Sequence, residues 1–544
     1  MQRYSALRLA MLAVMGLSLS AHAQTANEQT VEELRNTLVS VMEALVQKGV
    51  LTREQAQQIV ANAQAKSEAA AKEKAAQEAA EKDAVRVTYV PDNIKADISS
   101  QVATQLKPEV VKEVVAQAKS EQWGVPGALP DWVNSLNIYG DVRVRAENAT
   151  YGSDNAQLVY LNFDTINTAG GIGKAGAAAL LNVTEDRFRM LGRARVGVLA
   201  DLGGDFKADL RLTSGTGRVV NSTNQTLGQY DARGGVNVDK AALIWDHISN
   251  SINREFELRA GRFANPYFAV SELVWDNDLT FEGISATYAL DLFGRKVNKM
   301  ERGVYLTVGA MPLQEVELSK KDKWLYGGQL GTELPFGDSS VFRLAGAYYI
   351  YQNIAGIKNV ADSTLLDYTA PRFLSKGNTL FDIRNSTTDT SVNLYALAAD
   401  YKLVNANLAL EFPMTSHKRI TLAAEYVKNI GFDPAKIKAR TGTTVEGRVQ
   451  GYDVSLTVGD RALNALGTWR AMVGYRYLER DAVLDAFTDS DFHLGGTDAK
   501  GYQFSYELGL SKKTSLKARL MSATEIDGPP LAIDVLHLDF NGSF

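Results

Sequence analysis

The sequence predicts an all-β transmembrane antiparallel β-barrel of about 16 strands, with 18 as the alternative, preceded by an α-helical coiled-coil segment. Three observations support this prediction. From residue 136 onward, apolar and polar side chains alternate in one long segment after another. No run of about 18 uncharged apolar residues follows the N-terminal leader, so a membrane segment would have to be a strand. The last of the alternating segments continues to the terminal Phe544.

The composition excludes several classes of protein. The 544 residues contain no cysteine, which excludes disulfide scaffolds, thiolate metal sites and cysteine nucleophiles. The 58 Lys and Arg residues are outnumbered by 63 Asp and Glu residues, and the resulting net charge of −5 argues against nucleic-acid binding. Because 45% of the residues are apolar and 22% are charged, general disorder is not expected either.

Residues 1–23 have the pattern of a secretory signal peptide. Arg3 and Arg8 supply the positive start, residues 9–19 form a short apolar core, and Ala21 and Ala23 supply the small residues of a cleavage site, which predicts cleavage after Ala23. The apolar core is far shorter than the ~20 residues that a spanning helix needs. We therefore expect an exported protein whose mature form has no transmembrane helix.

Residues 24–84 have helical periodicity and predict a coiled-coil region. Apolar residues from Val31 to Leu45 follow one another at spacings of three and four, as in a coiled-coil seam. The stretch 61–84 consists of Ala, Glu, Lys and Gln and has almost no large apolar face, so it is either a single solvated helix or a self-associating coil such as a trimer. Residues 85–135 predict a periplasmic linker with one amphipathic helix.

The barrel prediction depends on segments of period two between residues 136 and 544. In 136–147, Ile138, Val142 and Val144 share one face, and charged residues share the other. Such segments exceed the roughly 5–6 residues of a strand in a soluble sandwich and fit the roughly 9–11 residues of a tilted membrane strand. We count about 17 of them, and bacterial barrels prefer even numbers. Long outer loops are expected at 158–182, 227–235, 354–389 and 481–498.

The charged face of these strands predicts a water-filled lumen. A soluble barrel would bury this face at a large desolvation cost, whereas a wide channel lets charged residues face water and apolar residues face lipid. Arginines in such a wall favour anions, and facing carboxylates create a transverse field; alternatively, the charges pair with each other and only solvate the wall. The candidate pore-lining residues are Arg143, Arg145, Arg187, Arg189, Arg193, Arg195, Arg211, Arg259, Asp141, Asp209, Glu255 and Glu257.

Aromatic residues and the C-terminus add two further signals. The aromatic residues near predicted strand ends fit interfacial girdles, and they include Tyr326, Tyr348, Tyr349, Tyr351, Trp469 and Tyr477. The end of the chain resembles the outer-membrane signature of a final strand with a terminal aromatic residue, which the barrel-assembly machinery reads. The residues that carry this signal are Leu536, Leu538, Phe540 and Phe544.

Several segments resemble the family called "putative porin" of Gram-negative bacteria. They are 85–91, Trp123, 128–132, 140–145, 186–189, 193–197 and 259–263 with the following Asn265 and Pro266. The resemblance covers roughly residues 80–544. It implies an outer-membrane β-barrel that forms a diffusion channel and is preceded by periplasmic helices, and it supports a porin much better than any particular solute.

No arrangement typical of an enzyme or a metal site stands out in the sequence. His247, His417, His493 and His537 are isolated from one another and lack paired-histidine metal spacing. The glycine pattern at 171–176 lacks the structural context of a dinucleotide site, so we expect a flexible surface loop there. We therefore expect a channel rather than an enzyme, with no catalytic residue, cofactor or metal.

Together these features predict an outer-membrane porin through which small hydrophilic solutes or ions diffuse passively, with a weak anion preference. The alternatives are a structural barrel with a plugged lumen and a periplasmic tether, and an outer-membrane hydrolase. The expected partners are outer-membrane lipid, the barrel-assembly and periplasmic chaperone machinery, solutes and further copies of the chain, with a trimer as the expected homo-oligomer. Nucleic acid is not expected. The N-terminal region is expected in the periplasm, where it would gate, trimerise or tether the barrel.

Overall fold

The computed structural model describes residues 133, 135–249, 254–290, 303–317, 319–337 and 339–544. The predicted signal cleavage at Ala21 and Ala23, the predicted coiled-coil region 24–84 and nearly all of the predicted linker 85–135 lie outside the described residues, so they remain predictions. Within the described part of the chain, no helix is long and apolar enough to cross a membrane.

Sixteen long strands form one antiparallel barrel. The shortest has 9 residues and the longest has 17, lengths that suit a tilted passage through a bilayer. In chain order they are β1 Leu136–Tyr151, β2 Arg187–Gly203, β3 Phe206–Ser214, β4 Val236–Ser249, β5 Arg254–Ala264, β6 Thr280–Leu290, β7 Val304–Gln314, β8 Lys323–Phe336, β9 Ser340–Gln352, β10 Lys402–Pro413, β11 Lys418–Asn429, β12 Gln450–Asp460, β13 Trp469–Leu478, β14 Ala499–Gly509, β15 Thr514–Thr524 and β16 Ala532–Ser543.

The barrel closes because its first strand pairs with its last. Each strand pairs with its successor, and β1 also pairs with β16, from Asp141 opposite Ser543 to Tyr151 opposite Ile533. Closure satisfies the backbone groups that an open sheet edge would expose to lipid. The predicted antiparallel barrel of 16 strands is confirmed.

Long connections gather at one end of the barrel, which we call the long-loop end. They are 152–186, 215–235, 265–279, 315–322, 353–401, 430–449, 479–498 and 525–531, and the four predicted long loops fall within four of them. The opposite, short-turn end carries turns such as 204–205, 414–417 and 510–513, together with Leu136 and Phe544. In bacterial barrels the longer loops are extracellular and the shorter turns are periplasmic.

The long connections contain the small remaining elements. Gln225–Thr226 adds a short strand to β2, and Leu380–Asp382 pairs with Tyr395–Leu397 in a small hairpin. The segment 171–176, expected as a flexible loop, forms a short helical turn within a connection. The α-helices are Phe163–Ala169, Ile172–Ala175 and Pro434–Thr441, and the 3₁₀ helices are Gly176–Ala179, Asp367–Thr369 and Phe492–Leu494.

The outer face is apolar, and its aromatic residues correct part of the girdle prediction. Tyr326 and Tyr348 are 39% and 40% exposed on the outer face, as a girdle requires. Tyr349 and Tyr351 are 0% and 5% exposed and point into the barrel, so their assignment to the girdle was wrong. The reason is the period of the strand: Tyr348 and Tyr349 are consecutive and must point to opposite faces. The C-terminal residues point outward and are exposed: Leu536, Leu538, Phe540 and Phe544.

The interior also differs from a uniformly polar lumen. Loops 265–279, 353–401 and 479–498 fold inward and pack against the inner faces of neighbouring strands, where they form a hydrophobic cluster. At its centre, the ring of Trp275 lies 5.0 Å from that of Tyr349. Gly327 allows loop 265–279 to pack closely against the wall, because a Cβ atom at this position would clash with the phenol of Tyr267. Burial of these side chains fixes the inward loops and narrows the channel.

Candidate constriction in the barrel lumen

Four neighbouring strands, β15, β16, β1 and β2, build a charged wall on the inner face. Arg143 lies opposite Arg193, and Asp141 lies opposite Arg195. Arg145 lies opposite Asp539 and donates to it from Nε at 2.7 Å. Because side chains alternate along a strand, the odd-numbered positions of β1 and β2 all point inward and form one ladder of charge.

Two inward loops bring carboxylates to this wall. Asp278 of loop 265–279 accepts from Nη1 of Arg193 at 3.0 Å and from Nη1 of Arg195 at 3.3 Å. Asp491 of loop 479–498 accepts from Nη1 of Arg145 at 2.7 Å. Charge-assisted hydrogen bonds of this kind attach the loops to the wall that carries the arginines. They also keep the loop carboxylates opposite these arginines, beside the remaining cavity.

A cavity of about 250 Å³ remains between the wall and the loops. Its lining includes the basic residues Arg143, Arg145, Arg193, Lys517 and Arg519 and the acidic residues Glu272, Asp276, Asp278, Asp491, Glu507 and Asp539. A second cavity of about 420 Å³ lies toward the short-turn end and shares Glu507 and Lys517 with the first. The two cavities therefore adjoin and define a polar path through the part of the lumen nearer the short-turn end.

A buried ion network ties loop 479–498 to the wall at a second place. Arg476 donates to Asp453 and Asp489, each at 2.8 Å. Arg519 donates to the same Asp489 at 2.9 Å. Removing one partner of such a network leaves an uncompensated buried charge, so the network favours a single loop position.

The opposite wall anchors loop 265–279 through polar side chains of β8, β10 and β11. Gln329 accepts from the backbone N–H of Phe268 at 2.7 Å. Asn407 accepts from the N–H of Val270 at 3.0 Å. The hydroxyl of Ser271 donates to Glu425 at 2.6 Å. The loop thus crosses the lumen between two attachment points, one formed by amides and a carboxyl group and the other by ion pairs with arginine.

Loops 265–279 and 479–498 also bond directly to each other. The N–H of Asp276 donates to the carbonyl of Phe487 at 2.8 Å, and the N–H of Ser490 donates to Asp276 Oδ2 at 2.9 Å. Thr488 donates from its hydroxyl to the carbonyl of Leu273 at 2.9 Å. They therefore form one unit inside the barrel.

The loop carboxylates have different proton affinities. Burial and the neighbouring Glu272 hold the pKa of Asp276 well above its usual value. Burial and Asp489 raise the pKa of Glu272. Although burial opposes ionisation of Asp489, the guanidinium groups of Arg519 and Arg476 outweigh it and lower the pKa of Asp489. More of the negative charge of the loops therefore lies on Asp489 than on Asp276 or Glu272.

Five of the sequence-predicted residues meet at the constriction, namely Arg143, Arg145, Arg193, Arg195 and Asp141. Two others lie nearer the long-loop end. Arg189 bonds there to Glu147, which also contacts His537 at 3.1 Å, and Arg187 is exposed.

The remaining predicted residues lie on the inner faces of β3 to β5, away from this cavity. Arg211 pairs with Asp239, Asp209 with Lys240, and Arg259 with Glu257. Glu255 is buried in the same region. Most of the arginines pair with carboxylates. Such pairing is what the second interpretation of the charged wall required, in which the charges pair with each other.

The sequence prediction missed the residues that complete the constriction. Lys517 and Arg519 alternate with apolar residues in β15, so the period-two pattern could have identified them. Asp276 and Asp278 lie in a connection of moderate length that carries no signal of its inward path. Only the tertiary contacts of this loop with residues distant in the sequence show that it is part of the channel.

A family model and several solved structures are similar to this chain. The family model described as "Putative porin" matches residues 35–544. A comparison with curated proteins finds no significant match. Similar solved structures include OprB of Pseudomonas putida (11% identity, 78% of this chain and 97% of the other, TM-score 0.44), DcaP of Acinetobacter baumannii (12%, 75% and 97%, 0.37) and OmpF of Salmonella typhi (10%, 75% and 97%, 0.39).

The family match includes the whole barrel and the charged constriction within it. It extends over far more than half of the 544 residues. The chain belongs to the putative porin family and forms an outer-membrane channel.

Proposed function

We propose that small hydrophilic solutes diffuse passively through this constriction and that it weakly prefers anions. Support comes from two basic side chains that are only loosely compensated. Arg143 lies 4.0 Å from Asp278 and donates to the neutral Asn224 at 2.5 Å. Lys517 lines the same cavity and, within the described residues, has no carboxylate oxygen within 4.0 Å.

The acidic residues of the cavity also support a preference for anions. Its loop carboxylates bond to arginine, as Asp278 and Asp491 do, or have a raised pKa, as Glu272 and Asp276 do. A group with a raised pKa carries less negative charge near neutral pH. The field that a passing ion meets is therefore more positive than the six acidic and five basic residues of the lining suggest.

The experiment is a planar-bilayer measurement of single-channel conductance and of reversal potential in a salt gradient. We compare the wild type with Lys517→Gln and with Lys358→Gln, a matched control on an exposed loop. A unit charge about 6 Å from an ion contributes ~0.7 kcal/mol in water, favourable for an anion and unfavourable for a cation, so Lys517→Gln should reduce the anion-to-cation permeability ratio about tenfold. A wild-type channel that is equally or more permeable to cations would contradict the anion preference.

A second function is favoured by the hydrophobic cluster of the inward loops. If these loops block the lumen, the barrel would serve as a structural element with a tether. Liposome swelling with small sugars separates the two functions, because a plugged barrel passes nothing. Deletion of residues 24–122 then tests whether the N-terminal region gates the channel.

We further propose a homo-oligomer, with three copies as the first expectation, and a periplasmic N-terminal region. Chemical cross-linking in native membranes tests the first, and protease accessibility from the periplasm tests the second. We propose a channel without catalytic activity, and lipase and protease assays on the folded protein test that part.

A further inference from the structure

Three lysines point outward at the long-loop end, on strands that lie close together. Lys402 begins β10, Lys428 is the last but one residue of β11, and Lys500 is the second residue of β14. Even-numbered positions of these strands carry outward apolar side chains such as Val404 and Phe504, so the lysines share their face. We call these three residues the lysine patch.

The strand register places the three lysines on one stretch of the outer wall, between β10 and β14. Lys428 lies opposite Val404, which makes Lys402 its diagonal neighbour at about 7–8 Å between backbones. Lys500 lies opposite Tyr477, three strands away from Lys428. Three strands at ~4.8 Å each span about 14 Å, and because Lys500 is in register with Tyr426, two residues from Lys428 along β11, the backbone separation is about 16 Å.

The charge of the lysine patch is not neutralised by neighbouring groups. No carboxylate oxygen of the described residues lies within 4.0 Å of the three ammonium groups. The carboxylate of Glu479, in the same region, is buried and accepts from the N–H of Gln450 at 2.8 Å and from the hydroxyl of Tyr477 at 3.1 Å. The patch therefore presents positive charge to the surroundings of the barrel.

A different part of the outer face carries a basic residue whose charge is neutralised by an acidic neighbour. On β5 and β6, the outward Arg262 also lies near the long-loop end, where it pairs with Glu282 at 2.8 Å. That pair is neutral as a whole and needs no external partner. The contrast indicates that the uncompensated lysines of β10, β11 and β14 are a local feature and not a property of the whole rim.

A row of tyrosines borders the lysine patch, in register with Lys500 and two residues from Lys428 along β11. Tyr426, Tyr452 and Tyr477 stand opposite one another on β11, β12 and β13, and the rings of Tyr452 and Tyr477 stack at 5.3 Å. The hydroxyl of Tyr426 donates to Gln450 at 2.9 Å. Aromatic belts mark the border between the apolar layer and the headgroups. The lysines therefore stand at headgroup depth.

We propose that the lysine patch binds the phosphate groups of a phosphorylated glycolipid of the outer leaflet. Longer loops face the outside in bacterial barrels, so the patch meets that leaflet and not the periplasmic one. Ammonium groups bind phosphate oxygens through charge-assisted hydrogen bonds. The separation of Lys428 and Lys500 suits a headgroup with two phosphates, and the tyrosines give its sugar an aromatic surface. This site is outside the lumen and independent of solute selectivity.

The test compares two variants with equal loss of charge. Lys428→Gln with Lys500→Gln removes most of the patch, and Lys512→Gln with Lys513→Gln removes two exposed lysines at the short-turn end. Each mature protein is purified in detergent, checked for heat-modifiable folding, and titrated with lipid A that carries two phosphates and with the same lipid after phosphatase treatment. Native mass spectrometry counts the bound lipid.

The wild type and the short-turn variant should bind the phosphorylated lipid alike. The patch variant should bind it about 25-fold more weakly, at about fivefold for each lysine lost, and should keep the wild-type conductance. Removing the phosphates should abolish the difference between variants. Equal affinity of all proteins for the phosphorylated lipid would overturn the proposal. So would a loss of oligomers with unchanged lipid binding, because the patch would then be a contact between copies of the chain.

Discussion

Replacement of Asp278 by Asn changes the charge of the constriction without changing its volume. Asp278 Oδ1 accepts from Arg193 and Arg195, and Oδ2 accepts from the hydroxyl of Thr223 at 3.1 Å. An asparagine can still accept at Oδ1, and both arginines keep Asp141 as a partner. The loop should therefore stay in place while one negative charge is lost.

The expected change in selectivity follows from the size of the cavity. A space of about 250 Å³ keeps a small ion within several ångströms of every lining residue. One unit of charge at about 6 Å contributes ~0.7 kcal/mol in water, which is a factor of about three in local anion concentration. The local cation concentration changes by the inverse factor, so Asp278→Asn should raise the anion-to-cation permeability ratio about tenfold. Screening should reduce the effect at high salt, because the Debye length is only about 3 Å at about 1 M.

The measurement is the reversal potential of single channels at low and at high salt. Asp231→Asn provides a matched control, because Asp231 is exposed in loop 215–235 and its positive φ of 57° is compatible with asparagine. An unchanged reversal potential in Asp278→Asn, or a shift toward cations, would refute the assignment of this cavity as the constriction. A large rise in conductance with no change in selectivity would instead show that the loop had moved.

Three further predictions concern stability and assembly. Tyr349→Ala should destabilise the barrel by about 3–5 kcal/mol in denaturant titrations in lipid vesicles, whereas the outward Tyr348→Ala should cost less than about 1 kcal/mol; equal losses would contradict the facing of these residues. Burial raises the pKa of Asp485 to about 7, so the stabilisation by its protonated form is complete below about pH 4 and lost as pH rises through 7. The hydrogen-exchange protection of loop 479–498 should fall over that range and stay constant in Asp485→Asn; parallel profiles would argue against this role. Deletion of Phe544 removes two backbone bonds with Gly140, at 3.1 and 3.3 Å, and should lower the yield of heat-modifiable barrel several-fold, while Phe544→Tyr should restore it; a normal yield after deletion would contradict an assembly role.

The strands were predictable because their signal is local. In β1, and in β2 as far as the register shift at Asp201, the inward and outward residues follow the alternation of the sequence. The register then sets Arg143 against Arg193 and Asp141 against Arg195. The same alternation, applied to Tyr348 and Tyr349, assigns these two neighbours to opposite faces of the wall. The error in the girdle prediction arose because aromatic residues were assigned by their distance from the strand end. Whether a residue occupies an odd or an even position in the strand decides which face it is on.

The constriction was predictable only in part. The arginines of β1 and β2 were identified from their strands, and the loop 481–498 was identified from its length. The acids that oppose the arginines, and the buried Trp275 and Tyr349 that fix the loops, follow no periodic pattern. Their chemical types were visible in the sequence, but their mutual distances were not.

The sequence by itself determined the barrel, its polar inner face and its apolar outer face, because alternation with period two acts between neighbours along the chain. Only the tertiary structure decided how far the lumen is closed and which charges remain uncompensated. The bond from Ser271 to Glu425 joins residues 154 positions apart, and the bond from Arg145 to Asp491 joins residues 346 positions apart. Such bonds depend on the closed ring of strands and on the entry of the loops into it, and neither is encoded in any single segment.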